Sequence, residues 1–467
     1  MIKYIYKYIF PVFIVCILLF SSCNKIENRE VTLEFSVEEL TFDTVFTTVG
    51  TITRNFTVYN PSKEDVLADI HLAGAPHSYF SINVDGLAGT DFKDVLIPAR
   101  DSIFIHVKAN LHPGNQNTPF LITDSIVFRN KGKTQDINLL AYGQDANFIV
   151  ADAGSGNLRY KIIAGAHETV HWTNEKPYVV YGWAAVDSLG TLIIEPGTQV
   201  YFHNNSGIWV YSYGSIQANG TPEEPITFRG DRLEPWYDSD FAQWSRIWIN
   251  EGYGENRISN VLISNAQVGI QIEPLTTYTR NKTTIENSII KNCRFSGVIA
   301  RYANLEMNNC LITNCGDYCL DLEVGTFDMK HLTIANYFSQ DQRETPALFV
   351  SDSCYALYGG GETKANFYNT IIFGDISNEL VERKHDYYGS SYNFYNCLIR
   401  TTESSTNFHD CLLNQNPNFV NHREYDFQLE ANSPAINAGL SGIGITTDLL
   451  NNPRDGQPDI GAYERLR

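Results

Sequence analysis

The chain has 467 residues and a formal net charge of −19, from 53 acidic against 34 basic side chains. With no cluster of Lys and Arg, it lacks what drives counterion release, so nucleic-acid binding and a non-specific grip on acidic polymers are excluded. Length alone suggests about three domains, but a repeat protein grows along one axis and is not bound by that count.

Lys3 and Lys7 precede an apolar run over residues 9–20. At about twelve residues it is too short to cross a bilayer as a helix, and residues 1–22 read as a signal peptide. Its end, Phe20-Ser21-Ser22-Cys23, resembles the lipobox of bacterial lipoproteins, in which small residues precede a Cys that is acylated and becomes the new N-terminus; Phe20 stands where Leu is usual. The resemblance implies lipidation at Cys23, a membrane as partner through the lipid anchor, and a place in the cell envelope, at the outer membrane. Residues 23–30 form a polar tether.

Strand signals begin at Val31. Residues 51–59 alternate at Ile52, Phe56 and Val58, Asn60-Pro61-Ser62 supplies a turn, and residues 66–72, 79–84, 103–107, 125–128 and 137–141 continue in the same manner. Short alternating strands in this number predict a β-sandwich over residues 31–148. The segment is similar to immunoglobulin-like accessory domains common in Bacteroidetes lipoproteins. It holds no Cys, so its stability rests on the apolar core.

Residues 149–425 read differently. Entry is over residues 164–190, and residues 191–202, 207–211, 214–220, 225–228 and 246–249 are the first strands. Further on, apolar runs start at Ile285, Met307 and Met329, 22 residues apart, and Asn292, Asn314 and Asn336 keep that period. Ile258 with Asn265 extends the pattern upstream, and residues 367–373, 394–400 and 408–414 extend it downstream with uneven loops. A second strand follows each Asn, at residues 269–272, 297–300, 319–322 and 347–350, alternating between two faces. A unit of this length cannot bury its own apolar face and does so by stacking on the next. The fold class expected is all-β: a right-handed parallel β-helix preceded by the N-terminal immunoglobulin-like β-sandwich.

The stretches 191–202 and 215–228 look like the opening of many bacterial right-handed β-helix proteins. With residues 230–234, 244–247, 314–318 and 331–337, the chain resembles, over residues 31–467, a Bacteroidetes family of β-helix lipoproteins. That family implies a fold and an address but no assigned reaction. Residues 433–439 and 455–464, the latter ending Asp459-Ile460-Gly461-Ala462-Tyr463-Glu464, resemble the closing motif of secreted β-helix proteins. Residues 426–467 are therefore expected to cap the open end of the solenoid. Asp448, Arg454, Asp459 and Glu464 have the types of a metal or catalytic cluster, but a loop pinned by Arg–carboxylate hydrogen bonds is the better reading.

Seven Cys lie beyond Cys16 and Cys23: Cys293, Cys310, Cys315, Cys319, Cys354, Cys397 and Cys411. The number is odd and no pair has zinc-ribbon spacing, so they read as small apolar residues stacked in the core, although a Cys293–Cys315 bridge is geometrically possible. Asn265, Asn292, Asn314 and Asn336 are expected to bond one another along the stack as a ladder.

No HExxH, GxSxG or phosphate-loop motif occurs, and no cofactor or metal is implied. A lyase of acidic polysaccharides needs a base, an acid and cations for the substrate carboxylate. Lys291, Arg294, Arg301 and His331 supply the types but read as solvated or hydrogen-bonded surface groups. A glycosidase needs two carboxyls, and Asp321 is the best placed, yet its column mates Gln271, Ile299 and Phe349 carry no acid. The loop over residues 231–243 sets Trp236 and Tyr237 among Glu234, Asp238 and Asp240. Aromatics flanked by carboxylates suit sugar rings; packing of Trp236 onto the helix as a lid is the plainer alternative, and calcium at Asp238 and Asp240 a weaker one.

Two functions are consistent with these residues. The favoured one is a non-catalytic, lipid-anchored display surface for polysaccharide or envelope proteins, with Trp236, Tyr237, Asp238 and Asp240 as ligand-binding residues. The other is a carbohydrate-active enzyme, a polysaccharide lyase or glycoside hydrolase, with an unrecognised active site. An enzyme should show at least two ionisable groups converging within a few Å; a display protein should show a flat or aromatic ridge.

Overall fold

A computed structural model describes residues 30–46, 53–110, 120–156, 158–250, 255–275, 282–338, 340–357 and 359–466. Residues 1–29, over which the signal peptide, Cys23 and nearly all of the tether are expected, lie outside the described residues. Among the described residues the regular structure is strand, with three single-turn 3-10 segments and no α-helix. The chain forms two compact units, Met1–Asp145 and Ala146–Arg467.

The first unit holds two five-stranded sheets. One contains Arg54–Tyr59, Ser102–Ala109 and Phe80–Val84; the other contains Lys133–Gln144, Phe120–Asn130 and Val66–Leu72. Alternation decides what is inside: Val66, Ala68, Ile70 and Leu72 are buried along one strand, and Ile103, Ile105, Val107 and Ala109 along another. They meet in one core with Phe56, Phe80 and Phe128. Residues 125–128 and 137–141 lie within much longer strands, whose hairpin turns at Lys131 and Gly132, φ 40° and 96°. Two positive φ values at a two-residue turn match the right-handed twist of the flanking strands.

The second unit is built on two long parallel sheets, of 11 and 18 strands, which the chain visits in alternation. The 22-residue period is realised in the register: Ile285 pairs with Met307 and Met307 with Met329. Ile263, Ile290, Ile312, Ile334, Ile372 and Ile399 form one continuous column of the smaller sheet. Ile247, Ile270, Val298, Leu320 and Leu348 do the same in the larger. All face a single core and are fully buried, each worth about 1.5–3 kcal/mol of transfer free energy. The corner entering the larger sheet is tight. A Cβ on Gly269 would lie 2.5 Å from the Gly297 carbonyl oxygen, and one on Gly297 2.6 Å from that of Cys319.

One boundary and one placement differ from the sequence reading. Asn147–Val150 pairs with Tyr178–Tyr181 as the first strand of the smaller sheet, so the units divide after Asp145 rather than Phe148. The segment expected to close the end of the stack instead packs along its side. Phe419, Phe427, Leu429, Ile460 and Tyr463 cluster with Leu311, Ile371 and Leu398, which alternate with the inward Ile312, Ile372 and Ile399 and so face outward. Those apolar outward positions are what call for a cover.

The closing motif is pinned as its residue types predict. Arg454 donates to Glu464 Oε2 at 3.1 Å and to Asn309 Oδ1 at 3.0 Å. Asp448 and Asp459 accept backbone N–H groups, from Asn452 at 2.7 Å and Asn437 at 2.7 Å respectively.

Candidate functional site

Residues 231–243 leave the smaller sheet after Ile226–Gly230 and carry a single 3-10 turn, Pro235–Tyr237. Trp236 is 52% exposed, Tyr237 is half-buried and Asp238 is exposed. Arg229 pairs with Asp238 at 2.6 Å, and the Arg232 guanidinium lies over the Tyr237 ring, 5.4 Å from its centroid. The four predicted ligand residues are thus on one short loop, but Asp238 already has a cation and the Tyr237 ring one covered face. Asp240 contributes its backbone carbonyl to the loop's anchorage.

That anchorage comes from the corner asparagines. Asn265 Nδ2 donates to the carbonyls of Asp240 at 2.6 Å and Asp238 at 3.0 Å, and Asn292 Nδ2 donates to Asp238 O at 3.2 Å. Gln243 Nε2 adds a bond to Tyr237 O at 2.6 Å. The expected ladder exists only in part: Asn314 donates to Asn292 Oδ1 at 2.7 Å and to the Tyr425 hydroxyl at 2.8 Å, while Asn336 serves the backbone of Cys315. Asn265, Asn292 and Asn314 have φ of 65°, 56° and 54°, the left-handed region that Asn tolerates better than other side chains. Bent backbone leaves loop carbonyls within reach, and the amides of Asn265 and Asn292 go there, so that only the Asn314–Asn292 rung of the ladder forms.

The other sequence candidates divide. His331 is fully buried, accepts from Asn369 Nδ2 at 3.0 Å and has its pKa lowered to about 3 by burial, so it is an interior neutral imidazole rather than a surface group. Lys291 lies over Tyr425, 4.8 Å from the ring centroid, with burial lowering its pKa. Arg294 is a surface group 3.9 Å from Asp341. The seven cysteines are free, six of them buried, and burial pushes the Cys310 thiol up to about 12.

Arg301 is the exception. It points outward from the larger sheet with only 17% of its side chain exposed, and three carboxyls surround it: Glu273 at 3.5 Å, Asp321 at 3.7 Å and Glu323 at 2.7 Å. Asp321 is 5% exposed and its Oδ1 is buried with no hydrogen-bond partner. Burial, then the Glu323 charge, pushes its pKa up to about 7 against the pull of Arg301. Beside the cluster Arg246 donates to Gln271 Oε1. Trp248 donates to Glu273 Oε1 at 3.0 Å and stacks on Trp209, with ring centroids 5.6 Å apart. Ionisable groups therefore converge here and an aromatic strip runs alongside. Glu273, Glu323 and Trp248 carry no motif; only the parallel register brings them together.

No family model and no curated protein matches the chain. Among solved structures it is similar to a family 123 glycoside hydrolase from Clostridium perfringens, at 7% identity over 26% of this chain and 30% of that one, with a TM-score of 0.18. A protein of unknown function from Porphyromonas gingivalis W83 is 12% identical over 30% and 59%, with a TM-score of 0.19. The catalytic domain of a GH87 alpha-1,3-glucanase is 8% identical over 77% and 91%, with a TM-score of 0.12. The chain spans less than two thirds of the length of the first two. Scores this low carry no argument about fold or function.

Proposed function

We propose that the chain is a lipid-anchored envelope protein whose second unit is a right-handed parallel β-helix, whose first unit is an immunoglobulin-like sandwich, and whose work is to bind glycan. The β-helix reading is supported by the 22-residue parallel register and the alternation between two sheets, and right-handed crossovers are the rule for parallel strands. The anchor rests on the lipobox-like residues ending at Cys23; metabolic labelling with a fatty acid should mark the wild type and not Cys23→Ala, and equal labelling of both would remove it.

One observation carries the binding reading. Trp236 stands 52% exposed on a loop whose backbone is fastened by side chains of Asn265, Asn292 and Gln243. A large aromatic held in place in water, next to carboxylates, presents the apolar face that a sugar ring stacks on at little ordering cost. On a glycan array Trp236→Ala should lose tenfold or more in affinity, about 1.4 kcal/mol. Unchanged binding would refute the loop as the site.

A further inference from the structure

Three carboxyls around one guanidinium are more than neutralisation needs. Asp321 and Glu323 lie two residues apart on one strand, facing the same way, and Arg301 pairs in register with Glu323. Glu273 comes from the strand on the far side, just beyond Ile272, which pairs with Ala300. Glu323 is held closely by Arg301 Nε, and Glu273 is tied to the Trp248 indole N–H. Asp321 has one oxygen, Oδ1, that is buried with no hydrogen-bond partner, while Oδ2 lies 3.7 Å from Arg301, and a carboxyl this dry favours its protonated form. Two carboxyls with environments this different, sharing one site, are how one protein holds an acid and a base at the same pH.

We propose that this cluster is a hydrolytic site for neutral glycans, with Asp321 as proton donor to the glycosidic oxygen and Glu273 as the base that activates water. The Asp321 carboxyl proton passes to the bridging oxygen as the bond from that oxygen to the anomeric carbon breaks, and the leaving sugar departs as an alcohol. A water oxygen bonds to the anomeric carbon and its proton goes to Glu273. Water is the only co-reactant, and one water is added across one bond with no change of oxidation state. Both carboxyls are then reset by proton exchange with solvent.

The assigned roles select the class. Glu273 and Asp321 lie on strands two apart and two residues out of register, and their carboxyls stand 3.5 and 3.7 Å from the two terminal nitrogens of the Arg301 guanidinium. With Glu273 as a base toward water and not as a nucleophile, the product anomer is inverted. Glu273 is also the more open of the two possible bases, its side chain 14% exposed against 8% for Glu323. Elimination from an acidic sugar is disfavoured, because it needs a cation free for the substrate carboxylate. Arg301 already meets three carboxyls, and Arg246 is engaged by Gln271 and desolvated. The Trp209–Trp248 stack continues the same face as an apolar floor for neighbouring sugar units.

This inference shares only the ligand class with the glycan-display reading and uses none of the Trp236 loop. The test incubates the purified chain with soluble β-glucan, xylan, mannan and arabinogalactan, and with polygalacturonate as the acidic control, and measures new reducing ends. Expected are ends from a neutral polymer, none from polygalacturonate, and an inverted anomeric product by NMR. The rate should fall as pH rises above about 7, where Asp321 gives up its proton. The charged and titratable groups that face Asp321 are Glu323, Arg301, Asp317 and Tyr318, with Arg383 over Phe349 on the next strand. Asp321→Asn and Glu273→Gln should each cut the rate about 10²–10⁴-fold while keeping a cooperative thermal unfolding transition and unchanged array binding. No ends from any neutral polymer, a retained anomer, or wild-type rates in both variants would overturn the assignment. Loss of array binding in Trp236→Ala with hydrolysis intact separates the two sites, and a chain that binds but never cleaves refutes only this one.

Discussion

Two arginines buried in the second unit face opposite situations. Arg343 and Glu379 are sealed, their side chains 2% and 0% exposed, with paired bonds of 2.6 and 2.8 Å. Both Glu379 oxygens also accept backbone N–H groups, from Ile376 at 3.0 Å and Ala347 at 2.9 Å. Arg301 meets three carboxyls, and one of them has an oxygen with no partner at all. The first arrangement satisfies its carboxylate completely and fastens a corner loop to the sheet. The second leaves one carboxyl oxygen unserved, a condition in which the group holds or releases a proton near neutrality.

The contrast can be broken first at the sealed pair. Arg343→Met strands the Glu379 charge and should cost about 3–5 kcal/mol in denaturant unfolding, while the double replacement with Glu379→Leu should recover most of it; a small loss in the single variant would erase the distinction. At the open cluster the sign reverses. Asp321 is raised from 3.8 to about 7 in the folded chain, so between about pH 4 and 7 the native state binds more protons than the unfolded one. Its contribution is fully favourable below pH 4, is lost as pH rises through 7, and is flat beyond. Asp321→Asn should abolish that slope and raise stability at pH 8, by on the order of 1–3 kcal/mol.

Smaller effects concern the loop. Asn265→Gly keeps the positive φ but removes the amide that holds the carbonyls of Asp238 and Asp240. It should cost about 1 kcal/mol and speed hydrogen exchange across residues 237–240; unchanged exchange would mean the loop is held otherwise. Least costly to the fold is Trp236→Ala, expected within about 0.5 kcal/mol of wild type by thermal unfolding because the residue is 52% exposed on a surface loop. A larger loss would make Trp236 a packed lid.

Much of the architecture is legible in the residues themselves. Ile285, Met307 and Met329 announce their pairing because parallel strands place equal positions of successive repeats side by side, and Val66–Leu72 shows its buried face by alternation alone. The Arg301 cluster is not legible in that way. Asp321 is visible as an outward residue, but its register mates Gln271, Ile299 and Phe349 carry no charge. The carboxyls that meet it sit two residues further along, at Glu273 and Glu323, and reach it through a long guanidinium from a third strand. The placement of residues 419–463 is hidden for another reason: an apolar face such as Leu311, Ile371 and Leu398 says that it needs covering but not by what. The corner asparagines look periodic enough to bond one another, but only Asn314 and Asn292 do, because loop carbonyls that no repeat encodes take the amides of Asn265 and Asn292.

That flank has a bearing on how the molecule comes into being. Leu311, Ile371 and Leu398 are synthesised well before Phe427, Ile460 and Tyr463, the side chains that shield them from water. A nascent chain already wound through its later strands therefore carries an oily wall, and no local rearrangement of the repeats can hide it. Only the arrival of residues 419–463 covers it, so loss of that stretch would expose the wall along its length rather than fray one end.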